Sequence, residues 1–248
     1  MATFLLALQF LTRWPVKTDQ LYSPARMAAA VRYYPLVGIC VGGLSASVFL
    51  FAALIFPAPI AILLAITAGL IVTGAFHEDG LADTFDGIGG GLTQEKSLEI
   101  MRDSRLGTYG TLALVMMLAV KVAALISLPP SMIPLALITA HGLSRLSSIT
   151  VIATSRYVRA EGTGKPVSQG VSPLSFLIAV ATGGLLLVIW GGFHPPLALI
   201  GAMGGLILGH NLMRLFFERK IGGYTGDTLG AVQQLSEIGF YLGLVTWL

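Results

Sequence analysis

Residues 107–154 read GTYGTLALVMMLAVKVAALISLPPSMIPLALITAHGLSRLSSITVIAT. Two apolar runs, 107–128 and 132–154, are joined by the short uncharged turn Pro129–Ser131. Each run reaches the roughly 20 residues that an α-helix needs to cross a bilayer. Runs this long predict a helical hairpin through a membrane, because only a helix satisfies its own backbone there. Working outward, five more runs share this character: 35–56, 59–76, 173–192, 196–216 and 229–247.

The composition agrees. Hydrophobic residues make up 55% of the 248 and charged residues 11%, against about a quarter charged in an ordinary soluble domain. Mean hydropathy is +0.82. These values exclude a soluble globular domain, a disordered chain and a nucleic-acid binder, despite the net charge of +3. The single cysteine, Cys40, excludes an internal disulfide and a cysteine-built zinc or iron–sulfur site. Residues 4–11, FLLALQFL, are too short to span, and they lack a preceding basic region and a small-residue cleavage site. They predict an interfacial or re-entrant helix ending before Pro15, not a signal peptide.

The connections alternate. Those around Pro57–Pro59, Pro129–Ser131 and Phe193–Pro196 carry no Lys, Arg, Asp or Glu. The links 77–106, 155–172 and 217–228, with the N-terminal segment, carry nearly every charge. Of the 15 Lys and Arg, only Lys121, Arg145 and Arg214 lie within runs; all others fall on one side of this topology. The positive-inside rule makes that side cytoplasmic. The expected fold is an all-α polytopic membrane protein of about seven transmembrane helices with cytoplasmic catalytic loops. It forms one integral membrane catalytic domain over 1–248.

The acids concentrate in one place. Residues 77–87 read HEDGLADTFDG. Asp79, Asp83 and Asp86 follow i, i+4, i+7 spacing and fall within about 60° of one helical face. Bare carboxylates so close repel, and a divalent cation removes the conflict. Oxygen ligands without cysteine suit Mg²⁺ or Mn²⁺. Asp79, Asp83 and Asp86 are therefore the candidate metal ligands and catalytic residues. Glu78 points about 100° away, and His77 reads as structural. The DxxDG at Asp83–Gly87 resembles half of the CDP-alcohol phosphotransferase signature, whose second half is absent.

Basic and polar partners follow. In EIMRDSRLGTYG (residues 99–110), Arg102 and Arg105 are i, i+3 and would share a face able to grip phosphate. In GGYTGDTLG (222–230), Thr225 and Asp227 are placed to cap the last helix or to contact a ligand. The basic loop RYVRAEGTGK (156–165) reads foremost as a contact for anionic lipid. Arg145, Arg214, Glu237, His141, His210 and Asn211 could wall a polar cavity beneath the aspartates. Lys121 lies nearer the outer side and would snorkel.

Taken together, HxDGLADTxDG, EIMRDSRLGTYG and GGYTGDTLGA resemble the hallmarks of the adenosylcobinamide-GDP ribazoletransferase (cobalamin synthase) family. FLTRWPV at Phe10–Val16, YPLVG at Tyr34–Gly38, Ser144–Arg145 and Glu237 fit the same family, so the matches run from residue 10 to about 240. Glu78 stands where that motif has an apolar residue, and KPVSQG after Gly164 has no assigned counterpart. The resemblance implies a multi-pass enzyme of the bacterial inner membrane that requires Mg²⁺. It would join adenosylcobinamide-GDP to α-ribazole or α-ribazole 5′-phosphate and release GMP. Arg102, Arg105, Asp103, Arg145, Asp227 and Glu237 would contact substrate. Expected partners are these substrates and the lipid bilayer, not nucleic acid, with a homo-oligomer possible. The rival readings are a CDP-alcohol phosphotransferase, an intramembrane prenyltransferase and a transporter. Transport would need polar residues continuing to the outer face, where the turns are bare.

Overall fold

The computed structural model describes residues 1–18, 20–160, 162, 165–168 and 170–248. The helices are α1 (Ala2–Leu11), α2 (Pro24–Ala30), α3 (Tyr34–Ala52), α4 (Ala58–Thr73), α5 (Phe76–Gly90), α6 (Gln94–Ile100), α7 (Thr108–Ser127), α8 (Ile133–Thr154), α9 (Pro173–Phe193), α10 (Pro196–Ile221) and α11 (Gly226–Val245). Among the described residues the only β pairing is an isolated bridge between Tyr157 and Tyr224. The chain is an all-α polytopic membrane protein. Prolines open α3, α4, α8, α9 and α10, where a missing N–H costs nothing and the fixed φ suits the first turn.

The count of seven spans is not reproduced. Among the described residues, five helical stretches are long and apolar enough to cross: Pro24–Ala52, which runs α2 into α3, and α7, α8, α9 and α10. The expected span 59–76 is α4 and the turn that ends it, too short to count alone. α4 stops at Thr73, Gly74 and Ala75 both take left-handed backbone, and α5 leaves at 86°. The bent pair makes a sixth span only if counted as one. The expected span 229–247 is α11, which carries Gln233, Gln234 and Glu237 and fails on hydropathy. It packs against α10, α5, α8 and α7. A helix enclosed by other helices need not be apolar, because it does not face lipid. α1 ends at Leu11, before Pro15, as expected.

Packing rests on small residues. Gly201, Gly205 and Gly209 of α10 face Gly243, Gly239 and Leu235 of α11, and a Cβ on any of these α10 glycines would strike the opposite backbone. Gly38 and Gly42 of α3 do the same against the His141 and Leu137 carbonyls of α8. In lipid there is little hydrophobic force between helices, so close backbone approach supplies the contact. α7, α9 and α10 leave Leu112, Val115, Leu185, Val188, Ile200 and Leu208 exposed, the apolar rows that would face lipid.

The charged connections gather at one end of the bundle. Arg13 N–H donates to the Val72 carbonyl, Gln94 to Ile221, and Arg214 to Thr154. The start of α11 pairs with the segment after α8 through Tyr224 and Arg156.

Candidate active site

The site is built where α5 meets the first turn of α11. A Cβ on Gly80 would lie 2.7 Å from the Asp227 carbonyl, and one on Gly230 would lie 2.9 Å from the His77 carbonyl. These two glycines let the backbones touch, and the touch brings Asp227 beside the aspartates of α5. Asp79 is exposed and Asp83 half-buried, both near the start of α11 and on none of the five long apolar stretches. The Asp83 carboxyl is pushed up to about 7, by burial first and then by the negative charge of Asp227, Asp79 and Asp86. Such a cluster favours a proton or a cation.

Arg159 supplies one positive charge. Its Nη2 lies 2.7 Å from Asp227 Oδ2, and both side chains are largely buried. The placement comes from two backbone bonds, Val158 N–H to the Tyr224 carbonyl at 3.0 Å and Tyr224 N–H to the Arg156 carbonyl at 2.8 Å. The basic loop 156–165, expected to contact lipid, thus brings Arg159 to the cluster. The only signal was a basic cluster, and no spacing rule ties a loop arginine to a helix aspartate so far along the chain. Thr225 caps α11 through a reciprocal pair with Thr228, and its hydroxyl also donates to Asp227 Oδ2 at 3.3 Å, so Asp227 is held by both Thr225 and Arg159.

Asp86 shares the helical face as expected but faces a different partner. Its Oδ2 accepts from Gly107 N–H at 2.7 Å and its Oδ1 from Gly110 N–H at 2.8 Å. It thus caps the start of α7, whose first N–H groups have no partner within their own helix. A Cβ on Gly107 would sit 2.8 Å from the Asp86 carboxyl carbon, and one on Gly110 would sit 2.8 Å from the Ala82 carbonyl. This explains the two glycines of RLGTYG. The Asp86 carboxylate is thus engaged by the start of α7, while Asp79, Asp83 and Asp227 lie near enough to feel one another's charge. Among the described residues no three His, Cys, Asp or Glu side chains close a metal site by themselves. An all-oxygen, incomplete set fits Mg²⁺, which typically takes one or two carboxylates and keeps positions for water and phosphate.

Arg102 and Arg105 do not share a helical face, which corrects the i, i+3 reading. α6 ends at Ile100, and the chain from Met101 to Gly107 is irregular. Arg102 is exposed. Arg105 Nε lies 3.0 Å from both Asp103 oxygens, and these bonds hold the Asp103 carboxyl down at about 2. Asp86 ties the far end of this segment to α5 through Gly107.

A second polar group lies inside the bundle. Lys121 Nζ is 3.0 Å from Glu237 Oε1 and 2.9 Å from Gln234 Oε1, and Lys121 is only 4% exposed. It does not snorkel: α11 offers it partners closer than the membrane surface. Glu237 also accepts from Gln233 at 2.6 Å and lies 3.5 Å from His141. Gln234 reaches Glu78 at 2.8 Å, which ties α5 to this network. Glu237 is thus held by internal partners. Arg145 Nη1 donates to the His141 carbonyl at 2.9 Å. Of the other expected cavity residues, Arg214 pairs with Glu218 and Thr154, His210 with Ser147, and Asn211 is exposed. Those three stand apart from this network.

The comparisons now bear on this geometry. The model of a family described as cobalamin-5-phosphate synthase matches residues 3–245. A relative from Shewanella baltica (strain OS185), named adenosylcobinamide-GDP ribazoletransferase, is 45% identical over 98% of this chain and 93% of its own. Relatives of the same name from Shewanella frigidimarina and Shewanella woodyi are 45% and 42% identical, covering 96% and 98% of this chain and 92% and 95% of theirs. No solved structure matches. The match spans the α5 aspartates, the start of α7 and the Asp227 turn alike. The chain is a member of the cobalamin-5-phosphate synthase family.

Proposed function

We propose that this chain is an adenosylcobinamide-GDP ribazoletransferase that requires Mg²⁺ and works at the cytoplasmic face of a bacterial inner membrane. The acidic cluster at the charged end of the bundle is the observation that carries this reading, together with the name of its close relatives. The substrate carries a pyrophosphate between cobinamide and guanosine. A ribose hydroxyl of α-ribazole, or of its 5′-phosphate, attacks the phosphorus attached to cobinamide. A new phosphorus–oxygen bond forms, the bridging bond of the pyrophosphate breaks, and GMP leaves with the electron pair.

Asp79, Asp83 and Asp227 would hold the cation, which neutralises charge on the pyrophosphate and the leaving phosphate when bound. Arg159 offsets the remaining carboxylate charge and fixes Asp227. Arg102 and Arg105, on the exposed segment pinned by Asp86, would take non-bridging oxygens once Asp103 releases Arg105. The attacking hydroxyl gives its proton to a carboxylate of the cluster or to water.

The test is GMP release by detergent-purified protein given adenosylcobinamide-GDP and α-ribazole 5′-phosphate, with Mg²⁺ and then with EDTA. Mg²⁺-dependent GMP with a matching corrinoid product is expected. No release from folded protein supplied with lipid would overturn the reading.

A further inference from the structure

Glu78 takes no part in the acidic cluster. It stands about 100° around α5 from its neighbour Asp79. Its Oε1 accepts from Gln234 of α11 at 2.8 Å. Its Oε2 is buried and has no hydrogen-bond partner among the described residues. A carboxylate oxygen left bare in the interior is costly, so the fold calls for a donor there.

Glu78 lines a polar chamber bounded by α3, α4, α5, α7, α8 and α11. The chamber has room for about 20 Å³. One water needs about 10–15 Å³. The space therefore takes one water and excludes a hydrated ion, a nucleotide or a lipid chain. Two more residues of its wall carry buried polar atoms without partners among the described residues, Ser45 Oγ and Arg145 Nε. Glu78 accepts, Arg145 donates and Ser45 does either. Three such partners are what a buried water typically bonds. The wall charges suit a neutral occupant too, since Lys121 and Arg145 are matched by Glu78 and Glu237.

We propose that this chamber holds one bound water, shared by Ser45, Glu78 and Arg145, and that the water makes Glu78 a positioning residue for Asp79 and Asp83. The positioning role rests on the reaction proposed above, and the water does not. α5 needs such an anchor. It leaves α4 at 86° across two left-handed residues, so α4 does not carry its axis into α5. The water ties α5 to α3 and α8, and Gln234 ties it to α11. α11 also carries Asp227, about two turns before Gln234. Glu78 thus fixes Asp79, the next residue, and Asp83, a turn further on, against Asp227.

The experiment uses variants of the full chain in detergent. A Cβ at Gly69, on the chamber wall, would lie 3.1 Å from Ser45 Oγ, the one neighbour it meets. Gly69→Ala therefore puts a methyl in the water's place and leaves the polar side chains intact. Glu78→Leu removes the acceptor, and Glu78→Gln can still accept from Gln234 and donate to the water. High-resolution density reads the water, electron paramagnetic resonance reads Mn²⁺ affinity, GMP release gives kcat and KM, and thermal melts report folding. Wild type should show one water within about 3 Å of Ser45 Oγ and Glu78 Oε2, and Gly69→Ala none. Folded Gly69→Ala and Glu78→Leu should lose about tenfold or more in kcat, because small displacements of reacting groups cost rate. Both KM values should stay within about threefold. Mn²⁺ binding should weaken several-fold, and Glu78→Gln should rescue rate and Mn²⁺ binding together. A merely structural role would lower Tm and leave kcat and Mn²⁺ affinity of the folded protein alone. A chamber without water density would overturn the water. So would a Gly69→Ala that melts above wild type, as a better helix former in an empty void would, with unchanged kcat. Folded Glu78→Leu with wild-type kcat and Mn²⁺ affinity would overturn the positioning role, as would Glu78→Gln no better than Glu78→Leu. If Glu78→Leu does not fold, the kcat and Mn²⁺ affinity of Gly69→Ala decide it. A wild type that holds the water but releases no GMP would instead overturn the proposed reaction.

Discussion

Replacing Lys121 with Met tests the buried network most directly. Lys121 and Glu237 are 4% and 1% exposed, with Nζ 3.0 Å from Oε1. Removing one member of a buried ion pair costs about 3–5 kcal/mol, because the other charge is left without its partner. Here Glu237 keeps Gln233 at 2.6 Å and His141 at 3.5 Å, which puts the cost near the lower end, about 3 kcal/mol. In a chain of this length each kcal/mol moves Tm by about 2–4 °C, so Tm should fall by roughly 6–12 °C. Lys121→Met combined with Glu237→Gln removes both charges and should recover most of that loss. The double-mutant cycle, followed by circular dichroism during reversible denaturation in mild detergent, should give a coupling of about 2 kcal/mol or more. A surface-exposed pair is worth about 0–1 kcal/mol. A single-variant cost in that range, with coupling near zero, would refute the buried pair and restore a lysine that reaches the membrane surface.

Asp86→Ala should lose about 2–3 kcal/mol of stability, since a buried carboxylate that accepts two N–H bonds disappears, whereas Asp79→Asn and Asp83→Asn should keep the fold and lose GMP release; thermal melts beside activity assays separate the two classes. The raised Asp83 carboxyl disfavours its charged form in the fold, so stability of the metal-free protein should fall as pH rises from about 4 towards 7. The same group is protonated below about 7, so a cation must displace a proton, and Mn²⁺ affinity read by electron paramagnetic resonance should rise between pH 6 and 8 in wild type but not in Asp83→Asn. Ala75 holds φ at 55°, and Ala75→Gly should relieve about 1 kcal/mol and raise Tm by about 2–4 °C. Gly205→Leu should push α10 from α11 and abolish the folded species on size-exclusion chromatography, because the Gly239 carbonyl occupies the place of its Cβ.

The helical class, the apolar runs and the clustering of charge at one end follow from local rules, and the sequence determined them. A helix in lipid must be long, apolar and self-bonded, and each requirement is readable residue by residue. The spacing of Asp79, Asp83 and Asp86 on one face of α5 was legible for the same reason, since helical periodicity is local. What each carboxylate does was not. Asp86 caps α7 because the chain after α6 returns to it, and Asp227 joins Asp79 and Asp83 because Gly80 and Gly230 let two backbones meet. Arg159 reaches the cluster through a loop that no period describes. The same holds for Lys121, whose distance along α7 predicts the membrane surface while Glu237 stands 3.0 Å away. The apolar run 59–76 ends as α4 at Thr73, close to where hydropathy puts it, and the aspartate-bearing α5 then leaves at 86°. Hydropathy sums over a window and cannot register two left-handed residues, so only the tertiary structure decided the direction in which the site-bearing helix leaves.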